Sequence, residues 1–304
     1  MKSTVDQVLD IFELFRMTPL AIDQYEQTGK EALRNKMLTF INNNKPIKFS
    51  IMGFPMKSPN TRDKVIGKLP DMAEEATLEN FAVFSQMVKT VYTPGIQIAV
   101  ISDGLAFSDV MGVETSVVDT YQEVCLDFAR IAGAPVNWFT LRDFYDKAMS
   151  LEAMRSKLVS QHGITPEELE QRILFDADVN MLYKGMIRFM NLDLAIRNYS
   201  SNTQLQKEAK KVAREMMFRN EAYSKLVQSE FSDHIRLSMH PSVNNGVKYS
   251  FQLIRSPKAW TSAWHSALAV GSDGILETIH KKDAEAQGYE LQYKNNQPFY
   301  YSKS

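Results

Sequence analysis

One cysteine in 304 residues, Cys125, is the scarcest chemistry in this chain. A lone thiol closes no intramolecular disulfide and supplies no cysteine cluster for zinc, so both readings are excluded and a reducing compartment fits. An excess of charge of either sign is also missing. Thirty-five basic against 36 acidic residues leave a formal net charge of -1, so bulk electrostatics gives no reason to expect nucleic acid or an anionic membrane as partner, and any anion site must be local. Long apolar runs are absent too, because charges interrupt every stretch short of the roughly 18–20 residues that span a bilayer. The opening MKSTVDQVLDIFELF mixes acids into its apolar run and lacks the basic start and small-residue cleavage site of a signal peptide. It reads as a helix, and a soluble, cytoplasmic protein is the expectation.

What is present is globular material. A hydrophobic content of 44% and a charged content of 23% argue against disordered, collagenous and coiled-coil classes. The length, about twice the ~150-residue domain prior, allows two modest domains or one α/β unit with added helices.

Residues 4–17 place Val5, Val8, Leu9, Ile11, Phe12 and Phe15 on one helical face behind a Ser3 or Thr4 cap. A second helix is expected over 32–42. IKFSIM at 47–52 and IQIAVIS at 96–102 read as strands flanking a helix over 74–92, which predicts a parallel α/β sheet. A helix over 114–133, a third strand over 136–141 and a helix over 141–149 complete a first unit, 1–150. Residues 151–230 are rich in Glu, Lys, Arg, Gln, Met and Leu with almost no strand signal. They predict a helical subdomain, with Thr165 capping and Pro166 opening one helix. Residues 231–304 read as a β-rich return, with strands over 234–239, 248–254, 265–270, 275–280 and 290–301 and turns at Asn245-Gly246 and Asp273-Gly274. The expected class is therefore α/β: a Rossmann-like, mostly parallel sheet with flanking helices, a helical subdomain and a β-rich C-terminal part.

Three clusters carry chemistry. The loop GFPMKSPNTRDKVIGKLPDMAEE after the first strand holds Lys57, Ser58, Arg62 and Lys64, and a basic loop at the carboxyl end of a parallel strand suits a phosphate or carboxylate. A solvated, proline-stiffened loop is the competing reading. It is neither a Walker A loop nor a GxGxxG fingerprint. The second strand ends in ISDGLAFSDV, where Asp103 and Asp109 either bracket a pocket or serve turn chemistry, the latter favoured by spacing alone. In IRLSMHPSVNNGVKYSFQL, Arg236, Ser238 and His240 alternate on one side of a strand, with Ser242 and Lys248 following. That side either faces solvent or lines a cleft as an anion clamp with a proton shuttle. Trp264 and His265 open a further apolar run, and two histidines at strand ends make an acid-base pair if the strands are neighbours. No Gly-x-Ser-x-Gly elbow exists, Cys125 sits in an apolar helical setting, and no His pair has metal-ligand spacing, so neither nucleophilic hydrolysis nor a metal site is supported.

Taken together, FPMKSPN, KVIGKLPDMAEE, SDGLAFSD, IRLSMHPS and AWHSALAV, in this order, with the closing YELQYKNNQPFYY, resemble the isonitrile synthase family, related to the pyoverdine and dityrosine biosynthesis proteins. One departure is Ser262-Ala263-Trp264-His265, where the family often has Thr-Pro-Trp-His; the stiffening proline is missing. The resemblance implies an enzyme joining the α-amine of L-tyrosine or L-tryptophan to D-ribulose 5-phosphate, leaving an isonitrile and releasing phosphate and formaldehyde without a cofactor. It implies small-molecule partners, with a homodimer left open, and an iron/2-oxoglutarate oxygenase acting downstream. Such chemistry calls for anion contacts from among Lys57, Ser58, Arg62, Lys64, Arg236, Ser242 and Lys248, with Trp264 beside the substrate. His240, His265, Asp103 or Asp109 would move protons, and the helical region, through Tyr183 or Arg188, would wall the aromatic ring. The competing class is a sugar-phosphate or amino-acid binder without isonitrile chemistry.

Overall fold

The chain begins with α1 (Thr4–Glu13), α2 (Lys30–Ile41), β1 (Ile47–Met52), α3 (Met72–Val91), β2 (Ile96–Ile101), a single-turn α4 (Gly104–Phe107), α5 (Thr115–Ala132) and β3 (Val136–Phe139). The helices α6 (Leu151–His162), α7 (Pro166–Phe175), α8 (Ala177–Leu194) and α9 (Asn202–Glu230) follow, and then β4 (Ile235–Ser238) and β5 (Tyr249–Ser250). The last part holds β6 (Ala267–Val270), β7 (Leu276–Ile279), α10 (Lys281–Ala286), β8 (Glu290–Lys294) and β9 (Gln297–Ser302). This computed structural model describes residues 2–17, 23–240 and 246–303, so Ser242 and Asn245 lie outside the described residues.

The expected parallel sheet forms in the order β3-β2-β1-β4-β5, every neighbouring pair parallel. Its strands have two apolar faces because helices cover both sides. Phe49, Ile51, Ile98, Val100, Ile235 and Leu237 point to a core shared with Val8, Leu9 and Phe12 of α1 and Phe81 and Phe84 of α3. Aromatic rings fill it: Phe84 lies 5.5 Å from Phe49 and 4.9 Å from Phe15. Burial of each such side chain stabilises by about 1.5–3 kcal/mol. The opposite face presents Met52, Ala99 and Ile101 to Leu105, Tyr223, Leu226 and Val227, the last three on α9. The helical region therefore packs on the sheet through its longest helix.

Caps start the helices where the sequence places them. Ser3 accepts the Asp6 N–H, Thr165 accepts the Glu168 N–H at 3.1 Å ahead of Pro166, and Asp71 with Glu74 forms a reciprocal capping box on α3. The helix expected over 141–149 is corrected to a three-residue 3-10 turn. Asp143 accepts the Thr140 N–H at 2.7 Å and Asp146 the Ala148 N–H at 2.9 Å, and these side-chain bonds replace helical ones.

The β-rich return divides. Strands β4 and β5 extend the parallel sheet, whereas β6 to β9 make a second sheet in the order β7-β6-β9-β8. The strand expected over 248–254 pairs only at Tyr249–Ser250, because the chain then peels away and Gln252 N–H bonds the Phe15 carbonyl at 2.7 Å. The run over 290–301 is a hairpin turning at Asn295 and Asn296, both at positive φ, the geometry of a type I′ turn. Among the described residues no helix is long and apolar enough to cross a membrane.

The first strand ends in a tight passage. A Cβ on Gly104 would lie 2.0 Å from the Pro55 carbonyl oxygen and 2.8 Å from its carbon, both backbone atoms that cannot step aside. Gly104→Ala should therefore cost roughly 2–4 kcal/mol, read as a lowered urea midpoint with an unchanged slope. A variant as stable as the parent would show that this backbone approach is not held.

Candidate active site

Chain direction selects the place. From the central β1 the chain moves one way to β2 and β3 and later returns on the other side to β4 and β5, so the connections diverge between β1 and β4. In open parallel sheets the crevice beyond the carboxyl ends at such a switch point receives ligands.

The backbone there is constrained. Phe54 adopts φ +54°, unusual for a large side chain, and is held by the Ser102 hydroxyl donating to its carbonyl at 2.9 Å. Its ring lies 5.3 Å from Trp138 and 5.1 Å from Trp264. A Cβ on Gly53 would lie 2.8 Å from Trp264 and 3.2 Å from Met239, so the ends of β1 and β4 and the Trp264 segment converge. Trp264 is buried in that wall.

Asp103 leaves the end of β2 with one carboxylate oxygen buried and unpartnered. Burial pushes its pKa up to about 6. Tyr223 of α9 donates to the neighbouring Ser102 carbonyl at 2.8 Å. On β4, Arg236 projects toward α9, donating to the Ser224 hydroxyl at 2.9 Å and lying 3.3 Å from the Met52 sulfur. The side carrying Arg236 and Ser238 therefore faces the helical region rather than open water. Lys248 precedes β5, and the pairing of Leu237 with Tyr249 continued one residue back sets it beside Arg236. Burial lowers both cations, and Arg236 further lowers Lys248. Among the described residues no carboxylate pairs with either, whereas Asp233 next to the strand is engaged by Lys48 and His234. His240 follows β4, and burial, then the Lys248 charge, lowers its pKa.

His265 does not open a strand. It ends a 3-10 turn, because its N–H returns to the Ser262 carbonyl at 3.1 Å. Its Nδ1 is buried without a partner, and its ring meets Phe189 of α8 edge to face at 4.5 Å.

The basic loop takes a different part from the one expected. Lys57 has no exposed side-chain surface and sits 2.7 Å from Asp71 and 2.8 Å from Glu74, donating also to the Ala263 carbonyl at 3.0 Å. Burial opposes its charge, but the two carboxylates outweigh it and hold the pKa raised. Lys64 is enclosed against Asp193 of α8, which also accepts from Ser58 at 2.8 Å. Arg62 is exposed and pairs with the adjacent Asp63. As anion contacts Lys57, Ser58 and Lys64 are therefore corrected, since all three are buried and engaged with carboxylates or carbonyls and have no open face for a phosphate, whereas Arg62 stays at the surface on Asp63. Asp109 is corrected as a proton carrier, since Arg219 at 2.7 Å and Arg155 at 3.4 Å grip it. Burial works to raise its pKa, and these arginines overcome that and lower it.

Residues 37–292 match the family model described as pyoverdine/dityrosine biosynthesis protein. The chain belongs to this family. It is 30% identical over 270 residues to the L-tryptophan isonitrile synthase AmbI2 of Fischerella ambigua, covering 88% of this chain and 81% of that protein. It is 29% identical over 271 residues to the L-tyrosine isonitrile synthase of Pseudomonas aeruginosa, covering 88% and 82%. The crystal structure of PvcA from Pseudomonas aeruginosa superposes with a TM-score of 0.91 at 26% identity, over 99% of this chain and all of that one.

Within this pyoverdine/dityrosine family chain, Asp193, Phe189, Tyr223 and Ser224 are the neighbours that sequence reading missed. Asp193 had a signal: a carboxylate in the apolar run MIRFMNLDLAI, one turn from Phe189, has to meet a partner on the buried face. Tyr183 is buried beneath Arg214, and Arg188 is exposed beside Leu174 and Phe175 in a separate recess between α7 and α8.

Asp103 supplies a test of the crevice. Its carboxyl binds a proton more tightly in the folded chain than in the unfolded one, so it favours folding most below about pH 4 and loses that contribution as pH rises through about 6. Relative to the parent, Asp103→Asn should gain up to ~3 kcal/mol at about pH 8 and nothing near pH 4 in urea unfolding. An equal difference at both pH values would mean that the carboxylate carries no burial cost.

Proposed function

We propose that this protein is an isonitrile synthase converting the α-amine of L-tyrosine or L-tryptophan to an isonitrile, with D-ribulose 5-phosphate as carbon donor. The observation that carries the reading is the adjacent pair Arg236 and Lys248, with no carboxylate partner among the described residues, at the switch point of the sheet. Two cations held side by side repel, and an anion bridging them removes that cost. The activities named for the tryptophan and tyrosine relatives, over most of the chain, supply the reaction class.

The roles follow from chemistry. Arg236 and Lys248 take the sugar phosphate, which leaves the C2 ketone toward His240, Asp103 and His265. The substrate amine arrives as an ammonium and must lose a proton before it attacks C2. A carboxylate raised to about 6, ionised at neutral pH yet poorly solvated, suits that step. Water then leaves to give an imine; proton removal and loss of phosphate from C5, followed by cleavage of both the C1–C2 and C2–C3 bonds, leave C2 on nitrogen, with C1 released as formaldehyde and C3–C5 as a three-carbon hydroxyketone. Each transfer needs a group that exchanges protons near neutrality, and His240 is open to do so.

Incubation with each amino acid and ribulose 5-phosphate labelled with carbon-13 at C2 should give a labelled isonitrile by mass spectrometry. Binding of the sugar phosphate without turnover would overturn the reading in favour of a binding protein. Arg236→Ala and Lys248→Ala should each raise KM for ribulose 5-phosphate roughly 10- to 100-fold, as expected for a charge-assisted contact. His240→Ala should instead lower kcat roughly 100-fold or more. Unchanged kinetics in both cation variants would move the phosphate elsewhere.

A further inference from the structure

His265 is gripped from several directions, and none of the gripping residues has a place in the chemistry so far. Lys57 donates to the Ala263 carbonyl at 3.0 Å and the Ser58 N–H to the Trp264 carbonyl at 2.8 Å, which fixes the backbone on the N-terminal side of the ring. The ring itself leans on Phe189 with centroids 4.5 Å apart and planes at 82°. The Lys64 ammonium lies 4.0 Å from the centre of the same phenyl ring. Asp193, one helical turn beyond Phe189 on α8, holds that ammonium, with Ser58 donating to the same carboxylate oxygen at 2.8 Å. The imidazole and a locked cation thus share one aromatic spacer.

This setting opposes a charged imidazole. An imidazolium carries N–H groups on both nitrogens, and the buried Nδ1 has no acceptor. The groups acting on the ring are Lys64 and Lys57 from the loop after β1, His240 from the end of β4 and His280 ahead of α10. Lys57 is matched by Asp71 and Glu74, and Asp193 is engaged by Lys64 and Ser58. Burial first, and then the Lys64 charge, lowers the His265 pKa well below its ordinary value. His240 is lowered in the same direction, by burial and then by the Lys248 charge, yet the residue as a whole stays at the surface, where its charged form can be hydrated.

We propose that Lys64 is a positioning residue that keeps the His265 imidazole uncharged, so that His265 acts as a neutral hydrogen-bond donor to a substrate oxygen while His240 carries the proton traffic. A neutral imidazole donating from Nε2 polarises a carbonyl without first having to be protonated, and it supports the developing negative charge when the amine adds to C2. The substrate oxygen rests on the isonitrile-forming reading above; the charge state of the ring does not.

The test is nuclear magnetic resonance titration of the full chain labelled at histidine, with the His265 signal assigned by its loss in His265→Gln. In the unaltered protein the ring should stay neutral from about pH 8 to about pH 5. The double variant Lys64→Met with Asp193→Asn removes both charges together and strands neither. In it the His265 pKa should rise toward its ordinary value. Turnover should then fall relative to the parent on the acid side, where the ring takes up a proton, and match the parent at about pH 8.5, with KM within about twofold. Lys64→Gln with Asp193→Asn, which puts a hydrogen-bonded amide pair in place of the ion pair, should behave alike and serves if the first double variant does not fold. A His265 ring that titrates near the ordinary 6.5 in the unaltered protein overturns the proposal without any variant. A folded variant whose His265 titration is unmoved overturns the part assigned to Lys64. Because the titration is read without substrate, its failure is distinct from a failure to form isonitrile.

Discussion

A lysine ammonium with no contact with water anchors the architecture around the crevice. Lys57 joins the loop after β1 to Asp71 and Glu74 at the start of α3 and to the carbonyl of Ala263, and Tyr121 of α5 donates to Glu74 at 3.0 Å. Burying an ion costs several kcal/mol, and only close partners on every side offset it. Most of these oxygens have partners, Asp71 Oδ1 accepting from Ala73 and Glu74 from the Asp71 N–H, while Asp71 Oδ2 meets only the ammonium and burial pushes the Asp71 pKa up to about 7. A buried charge of this kind adds little net stability but punishes misplacement, since shifting any one of these segments strands the ammonium. The crevice inherits that intolerance, because the Ala263 carbonyl stands one residue from Trp264 and two from His265.

The two histidines at the crevice are held by different parts of the fold, His240 beyond the end of β4 and His265 in a 3-10 turn ahead of the second sheet. His240 follows a parallel strand whose side chains alternate between a dry aromatic layer and a cationic edge, and it remains open. His265 emerges from a turn clamped by the loop after β1 and by α8, and one of its nitrogens is sealed. Two copies of one side chain thereby acquire different chemical capacities, set by burial and neighbouring charge rather than by residue type.

The parallel layer was legible because its strands are short, apolar on both faces and separated by a helix of clear period. The helical region was legible from composition and from the Thr165-Pro166 start. Arg236 and Ser238 were readable as sharing one side of a strand, since a period of two places alternate residues together, whereas His240 and Lys248 lie outside the strands and their nearness to Arg236 is a matter of register between segments. The partners of Lys57 and Lys64 were not. A run of cations in a loop looks the same whether it faces water or carboxylates, and the acid that engages Lys64 lies 129 residues further along. Asp109 misled for the same reason, because Arg219 reaches it from 110 residues away. The ends of the short strands escaped reading where a single tertiary bond, such as Gln252 to Phe15, pulls the backbone out of the sheet.

The central pairing of β1 with β4 joins segments separated by the whole helical region. During synthesis β1 is made early and β4 nearly last, with roughly 190 residues between them, which at about 5–20 residues per second is on the order of 10–40 s. Until β4 is made, the backbone edge of β1 that it covers in the finished fold has no partner, and an uncovered edge of this kind can recruit foreign strands. The long helices made in the meantime form from local contacts and can screen the sheet before its last strands arrive. Expression conditions that slow elongation would therefore burden this chain through aggregation of its nascent first half, with no change in the finished protein.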